Sequence, residues 1–222
     1  SSSVGRYETG YVEGGKAGEI NILAPDTLLQ GTLRGETVAG RYQRNKIPAG
    51  GIFRLNQAGE SETEYVSNKV LISAIEMTLP TNFTLDSSLS SVFGDKFGEE
   101  YEPGDAQVRT SDNMTLASDD FFNRSTMGSY ALRSSGVYKP DGSLDPEDGT
   151  TFTLEKGADL DLKNGASLDF AADHRMKILG NIRTEGGNVA LGGMALELGE
   201  GTSIDTHAKW YSDYEIDEPV AL

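Results

Sequence analysis

The sequence predicts an all-β chain, a parallel β-helix of stacked coils with an irregular insertion and a short helix. The prediction rests on residues 150 to 207. A motif Gly-x-x-(Leu/Ile)-Asp recurs at Gly157 to Asp161, at Gly165 to Asp169 and at Gly201 to Asp205. Leu160, Ile182 and Ile204 fall at equal intervals, and Val189 and Leu191 follow Leu168 and Phe170 at nearly the same interval. A fixed period of roughly 20 residues marks a solenoid, in which one coil cannot bury its apolar side alone and must stack on a neighbour. Apolar residues also alternate with polar ones at Leu160 and Leu162, Leu168 and Phe170, Val189 and Leu191, and Leu196 and Leu198, the period of a half-buried strand. Glycines fall between these strands, where the chain must turn and positive φ is often needed. The competing arrangement, an antiparallel sandwich, calls for hairpin turns, and Asn164-Gly165, Asp141-Gly142 and Asp148-Gly149 are the only pairs of that kind.

Residues 1–55 form the first β-helix segment. Its strands are the alternating runs around Ile20 and Ile22, Leu28 to Leu33, and Ile52 to Leu55, each fenced by glycine. Pro25 and Pro48 sit between them, where a missing N–H costs the ladder nothing. Residues 56–128 break the pattern and read as an irregular, partly helical insertion. Gln57 to Glu64 is polar and acidic, and Val92 to Gly104 is a glycine-rich acidic loop carrying aromatic residues. Within it, the run from Val70 to Leu79 fits a strand by apolar density or a helix by length, with strand preferred. Ser118, then Asp119, Asp120, Phe121 and Phe122, with Gly128 beyond, supplies an N-cap, acids in the first turn and a glycine stop. That predicts a short helix placed to cover an edge of the solenoid. Residues 129–211 return to coils, with strands at 130–133 and 137–138 and a turn at 140–149 leading into the main repeat. Residues 212–222 are an acidic tail.

Composition narrows the function. Lys and Arg number 19 against 35 Asp and Glu, a formal charge of −16, so the surface repels phosphate backbones and anionic lipid, and nucleic acid is excluded as an expected partner. Cysteine is absent, which removes disulfides and thiolate chemistry and suits a chain that crosses compartments. No apolar run of about 18 residues predicts a membrane-spanning helix. The polar start Ser1-Ser2-Ser3 carries no signal peptide and reads as a beginning inside a longer chain.

Two stretches then carry a resemblance. Residues 14–25 (Gly-Gly-Lys-Ala-Gly-Glu-Ile-Asn-Ile-Leu-Ala-Pro) with 29–33 (Leu-Gln-Gly-Thr-Leu), and residues 178–192 with 201–205 (Gly-Thr-Ser-Ile-Asp), resemble filamentous-haemagglutinin-type exoproteins of bacterial two-partner secretion. The resemblance implies a right-handed parallel β-helix and a secreted or cell-surface location on a Gram-negative bacterium. It further implies a parent chain exported through an outer-membrane transporter. The Asn-Pro-Asn-type motifs of that family's secretion domain are missing, so the segment is expected to be internal and not itself to engage the transporter.

Candidate chemistry is sparse. His174 and His207, the only histidines, lie far apart in the chain without a spaced partner, so neither a metal site nor a general base is expected, and no cofactor is. The acid pairs Asp119-Asp120 and Glu99-Glu100 are the carboxylates that glycoside chemistry would need. A helix first turn explains Asp119-Asp120 and a solvated acidic loop explains Glu99-Glu100, readings preferred to catalysis, and the Gly-His-Gly signature of β-helical pectin-degrading enzymes is absent. Solenoids can bind calcium between glycine-aspartate turns, but the glycine-rich calcium nonapeptide is not present: Gly186-Gly187-Asn188-Val189 departs at its fourth position, and the repeated Asp161, Asp169 and Asp205 more simply keep the outer face wet and discourage edge pairing. Asn82, Asn113 and Asn123 open Asn-x-Ser/Thr triplets, which chance explains in a chain this rich in Ser and Thr. Possible ligand contacts are aromatic: Trp210, Tyr211 and Tyr214 of the tail, and Phe93, Phe97 and Tyr101 of the acidic loop. Such rings stack on sugars when exposed, while for the tail cluster a cap over the last coil is the preferred reading. The expected function is a structural and adhesive segment that binds a host-cell or glycan receptor and is not an enzyme. The alternatives are a β-helical polysaccharide-acting enzyme, a phage-type fibre, or the stalk of a contact-dependent inhibition toxin.

Overall fold

The computed structural model describes residues 14–39, 49–57, 66–75, 77–84, 87, 89, 114–135, 151–162 and 165–208. Pro48, the 137–138 strand and the 140–149 turn lie outside them. The described chain is all-β, with one short helix among its secondary-structure elements. A first sheet runs in the order β1 (Glu19–Ile22), β3 (Ile52–Leu55), β6 (Ser129–Ser134), β9 (Ser167–Ala172), β12 (Val189–Gly192). A second runs β13 (Ala195–Leu198), β10 (Arg175–Ile178), β7 (Thr151–Leu154), β4 (Lys69–Ser73), β5 (Met114–Ser118), β2 (Thr27–Leu29). A third runs β14 (Ile204–Asp205), β11 (Asn181–Thr184), β8 (Asp159–Leu162). Every pairing is parallel.

From β7 onward the chain visits the second, third and first sheets in turn, and then repeats. The register is the one the spacing predicts. Ile182 pairs with Leu160 on one side and Ile204 on the other, Val189 with Leu168, and Leu191 with Phe170. The motif glycines supply the corners: Gly157, Gly165 and Gly201 have φ of 91°, 67° and 82°, a region that a Cβ disfavours.

All three sheets contribute to one core. Leu168 and Phe170 of the first, Phe152 and Met176 of the second, and Leu160 and Ile182 of the third belong to the same buried cluster. Its centre is aromatic. Phe122 meets Tyr130 at 5.4 Å and Phe170 at 6.3 Å, and Phe53 meets Phe121 at 5.4 Å, all edge to face, the arrangement that ring quadrupoles favour.

Residues 56–128, expected to be irregular, supply two strands of the second sheet. The run from Val70 is a strand, but it ends at Ser73. After β4 the chain departs and returns one place back, so that β5 is wedged between β4 and β2. Every residue of β4 and β5 is buried. Val70, Ile72 and Ala117 join the main core, while Leu71, Met114 and Leu116 point outward and are covered by Met77 and Leu89. A strand covered on both faces loses its alternation, which is why this stretch reads ambiguously.

The helix α1 spans Asp119–Arg124. Ser118 is its N-cap, accepting from the Phe121 amide at 3.1 Å, as the sequence predicts. The stop differs. Ser125, and not Gly128, ends the helix, its amide donating to Phe122 O at 3.2 Å; the Gly128 amide instead donates to Gly51 O at 2.8 Å. Ser118→Ala should lower stability by about 1 kcal/mol, read as a shifted urea midpoint at unchanged slope.

Candidate functional site

Among the described residues the third sheet has the fewest strands, and its outward face is polar. Leu160 and Ile182 point into the core, so alternation sends their neighbours outward. Register then stacks two polar rows: Asp161, Arg183 and Asp205, and beside them Asp159, Asn181 and Ser203. An open groove of about 540 Å³ lies over these six side chains.

The rows are tied along their length. Asn181 Nδ2 donates to Asp159 Oδ1 at 2.7 Å, and the Ser203 amide donates to Asn181 Oδ1 at 3.0 Å. Arg183 lies 3.7 Å from Asp205, whose other oxygen meets His207 Nδ1 at 2.6 Å and accepts from the His207 amide at 2.9 Å. The His207 amide and then its ring, followed by the charges of His207 and Arg183, hold the Asp205 carboxyl below its ordinary 3.8. A folded-state value below the unfolded one stabilises at pH above the ordinary carboxylate range, and the effect is lost as pH falls through the lowered value. In an NMR titration Asp205 should therefore have its midpoint below 3.8, and His207→Ala should return it toward that value.

At the other end of the sheet, α1 covers the edge of β8. The Asp161 amide donates to Asn123 Oδ1 at 2.7 Å, Asn123 Nδ2 donates to Asp159 O at 2.8 Å, and the Asp159 amide donates to Asp119 Oδ2 at 3.2 Å. The side chains of one helical face thus take the place of a neighbouring strand. The acid pair of the first turn is divided between tasks. Asp119 faces β8, while Asp120 forms an i,i+4 pair with Arg124 at 3.6 Å.

Of the residues singled out in the sequence, the structure gathers some and separates others. Asp161 and Asp205 share the groove, but Asp169 lies on the first sheet, in a row with Ala131 and Ala190. His207 joins Asp205, whereas His174 is half-buried in the turn between β9 and β10. Among the described residues no group of three His, Cys, Asp or Glu side chains is placed to hold a metal ion. Asn123 is committed to β8, Asn82 is exposed, and Asn113 lies outside the described residues. Trp210, Tyr211, Tyr214, Phe93, Phe97, Tyr101, Glu99 and Glu100 lie outside them too. Sequence reasoning missed Asp159, Asn181, Arg183 and Ser203. The step that aligned Leu160, Ile182 and Ile204 aligns these as well, one position to either side.

No protein-family model matches the chain, and neither a curated protein nor a solved structure does. Among the described residues no helix is long and apolar enough to cross a membrane.

Proposed function

We propose that the three sheets wind as a right-handed parallel β-helix and that the chain is a stiff structural and adhesive shaft. It would be an internal segment of a large secreted surface exoprotein of the filamentous-haemagglutinin type from a Gram-negative bacterium. One observation carries the reading: apolar residues of successive passes pair in all three sheets, Leu196 with Met176, Ile204 with Ile182 and Val189 with Leu168. Each added pass lengthens such a stack without widening it, so reach follows from the number of passes. The polar groove is the adhesive surface. Its carboxylates, amide and guanidinium repeat at the parallel-strand spacing of about 4.8 Å, which suits hydroxyl groups along an extended glycan.

The test is a glycan and host-cell binding screen with the intact chain. Binding should occur and should fall at least about tenfold in Asp161→Ala/Arg183→Ala, the loss of roughly 1.4 kcal/mol of polar contact. Depolymerisation of a bound polysaccharide that disappears in Asp119→Asn/Asp120→Asn would replace this reading with an enzymatic one.

A further inference from the structure

The inside of the stack turns polar at one corner. Where the first sheet hands the chain to the second, Asn56, Ser67, Asn68 and Ser134 are all buried. Ser134 has the parity of Tyr130 and Leu132, and Asn68, one residue ahead of β4, has that of Val70 and Ile72, so both side chains fall on the face that lines the core. Asn56 reaches the same place from the end of β3. Its φ of 57° lies in the left-handed region that asparagine tolerates, and its Nδ2 donates to Arg133 O at 2.9 Å. The backbone draws the three together. The amide of Ser135, next to Ser134, donates to the carbonyl of Ser67, next to Asn68, at 3.1 Å.

Asn56 Oδ1, Asn68 Oδ1 and Ser134 Oγ are enclosed at this corner, and none of them is bonded to a protein group. Since they do not bond one another either, whatever satisfies them must stand between them. We propose that the corner is a binding site for one internal water molecule, which donates to the two amide oxygens and accepts from the Ser134 hydroxyl. Two acceptors and one hydroxyl donor match the two protons and the lone pairs of water, and about three hydrogen bonds are usual for a buried one. The Asn56 amide cannot turn over to serve instead, because its Nδ2 is committed to Arg133 O.

A metal cation fits less well. All three oxygens are neutral, and the carboxylate of Asp173, which follows Ser134's row partner Ala172, is paired with Arg133, so a cation would bring an uncompensated charge inside. Ala172 also shows why the site does not repeat. It sets a methyl group beside Ser134, and the next pass has no hydroxyl in that row. The water thus links the exits of β3 and β6 to the entry of β4. The inference depends on neither the hand of the winding nor adhesion, so a failed glycan screen leaves it standing.

Cross-relaxation between water and the intact, isotope-labelled chain tests it. The Asn56 side-chain amide should give a water cross-peak of the sign that marks residence beyond nanoseconds, while the exposed Asn82 amide should show only transient contact. In water relaxation dispersion, Asn56→Gly, which keeps the left-handed backbone, should remove one long-lived water. Ser134→Ala should shorten its residence about tenfold, the effect of one lost hydrogen bond. Amide spectra report whether each variant is folded, and where one is not the wild-type cross-peak decides. No water cross-peak at Asn56, relaxation unchanged in both folded variants, or an Asn56 amide shift selective for sodium or potassium over choline would each overturn the proposal, the last by seating a cation there.

Discussion

Gly187→Ala should destabilise the chain by about 3 kcal/mol, the upper end of what overpacking costs. An added Cβ would stand 1.9 Å from Ala166 O, 2.6 Å from Ala166 C and 2.8 Å from Gly165 O. All three are backbone atoms of the preceding pass, so no side-chain rotation relieves the contact and the chain itself must shift. The shift falls beside the bond from the Leu168 amide to Asn188 O, 2.8 Å long, which ties the two passes at the entry to β9 and β12. Hydrogen exchange at the Leu168 amide should therefore accelerate along with the fall in urea midpoint. Gly192→Ala is the control. Nothing lies within 4 Å of a Cβ there, and the change should stay within about 0.5 kcal/mol. Equal effects at the two positions would refute the close stacking of passes.

Phe122→Ala should cost about 3–5 kcal/mol, the range for removing a buried ring from a packed core. The ring is fully buried and makes edge contacts with Phe121, Tyr130 and Phe170, so its loss opens a cavity bounded by two other elements. A second consequence separates this position from an ordinary core residue. Phe122 anchors the helix whose next residue, Asn123, accepts from the Asp161 amide, so exchange at that amide should rise as well. Asn123→Ala removes the edge contact while sparing the core. It should raise exchange at the same amide and lower stability by only about 1 kcal/mol. A destabilised Phe122→Ala with unchanged exchange at Asp161 would show that the helix keeps its place without its anchor.

The sequence was most legible where one face of a strand is buried and the other wet. Leu160, Ile182 and Ile204 could be aligned from spacing alone because each is flanked by polar residues and preceded by a corner glycine. Leu71 and Leu116 defeated the same reasoning. They are buried on the outer face of strands whose inner face is also buried, so the polar half of the pattern is missing. The position of β5 was illegible for a different reason: strand order is a long-range property, and nothing local records that a returning strand steps back one place. At the groove, the motif aspartates were visible but not their grouping. Gly157 to Asp161 and Gly165 to Asp169 repeat within a single pass and land on different sheets, whereas Asp161 shares its row with Asp205, two passes further on.

The wedged strand dictates an order of assembly. In the second sheet β2 meets the rest only through β5, and β5 becomes available only after the excursion that follows β4 has closed on itself. Closing so long a loop costs entropy before any contact rewards it. The passes from β7 to β14 are joined by short connections and owe no such debt. Consolidation should therefore begin in the C-terminal half and travel backward, with the N-terminal rungs docking last and, under mild denaturant, letting go first.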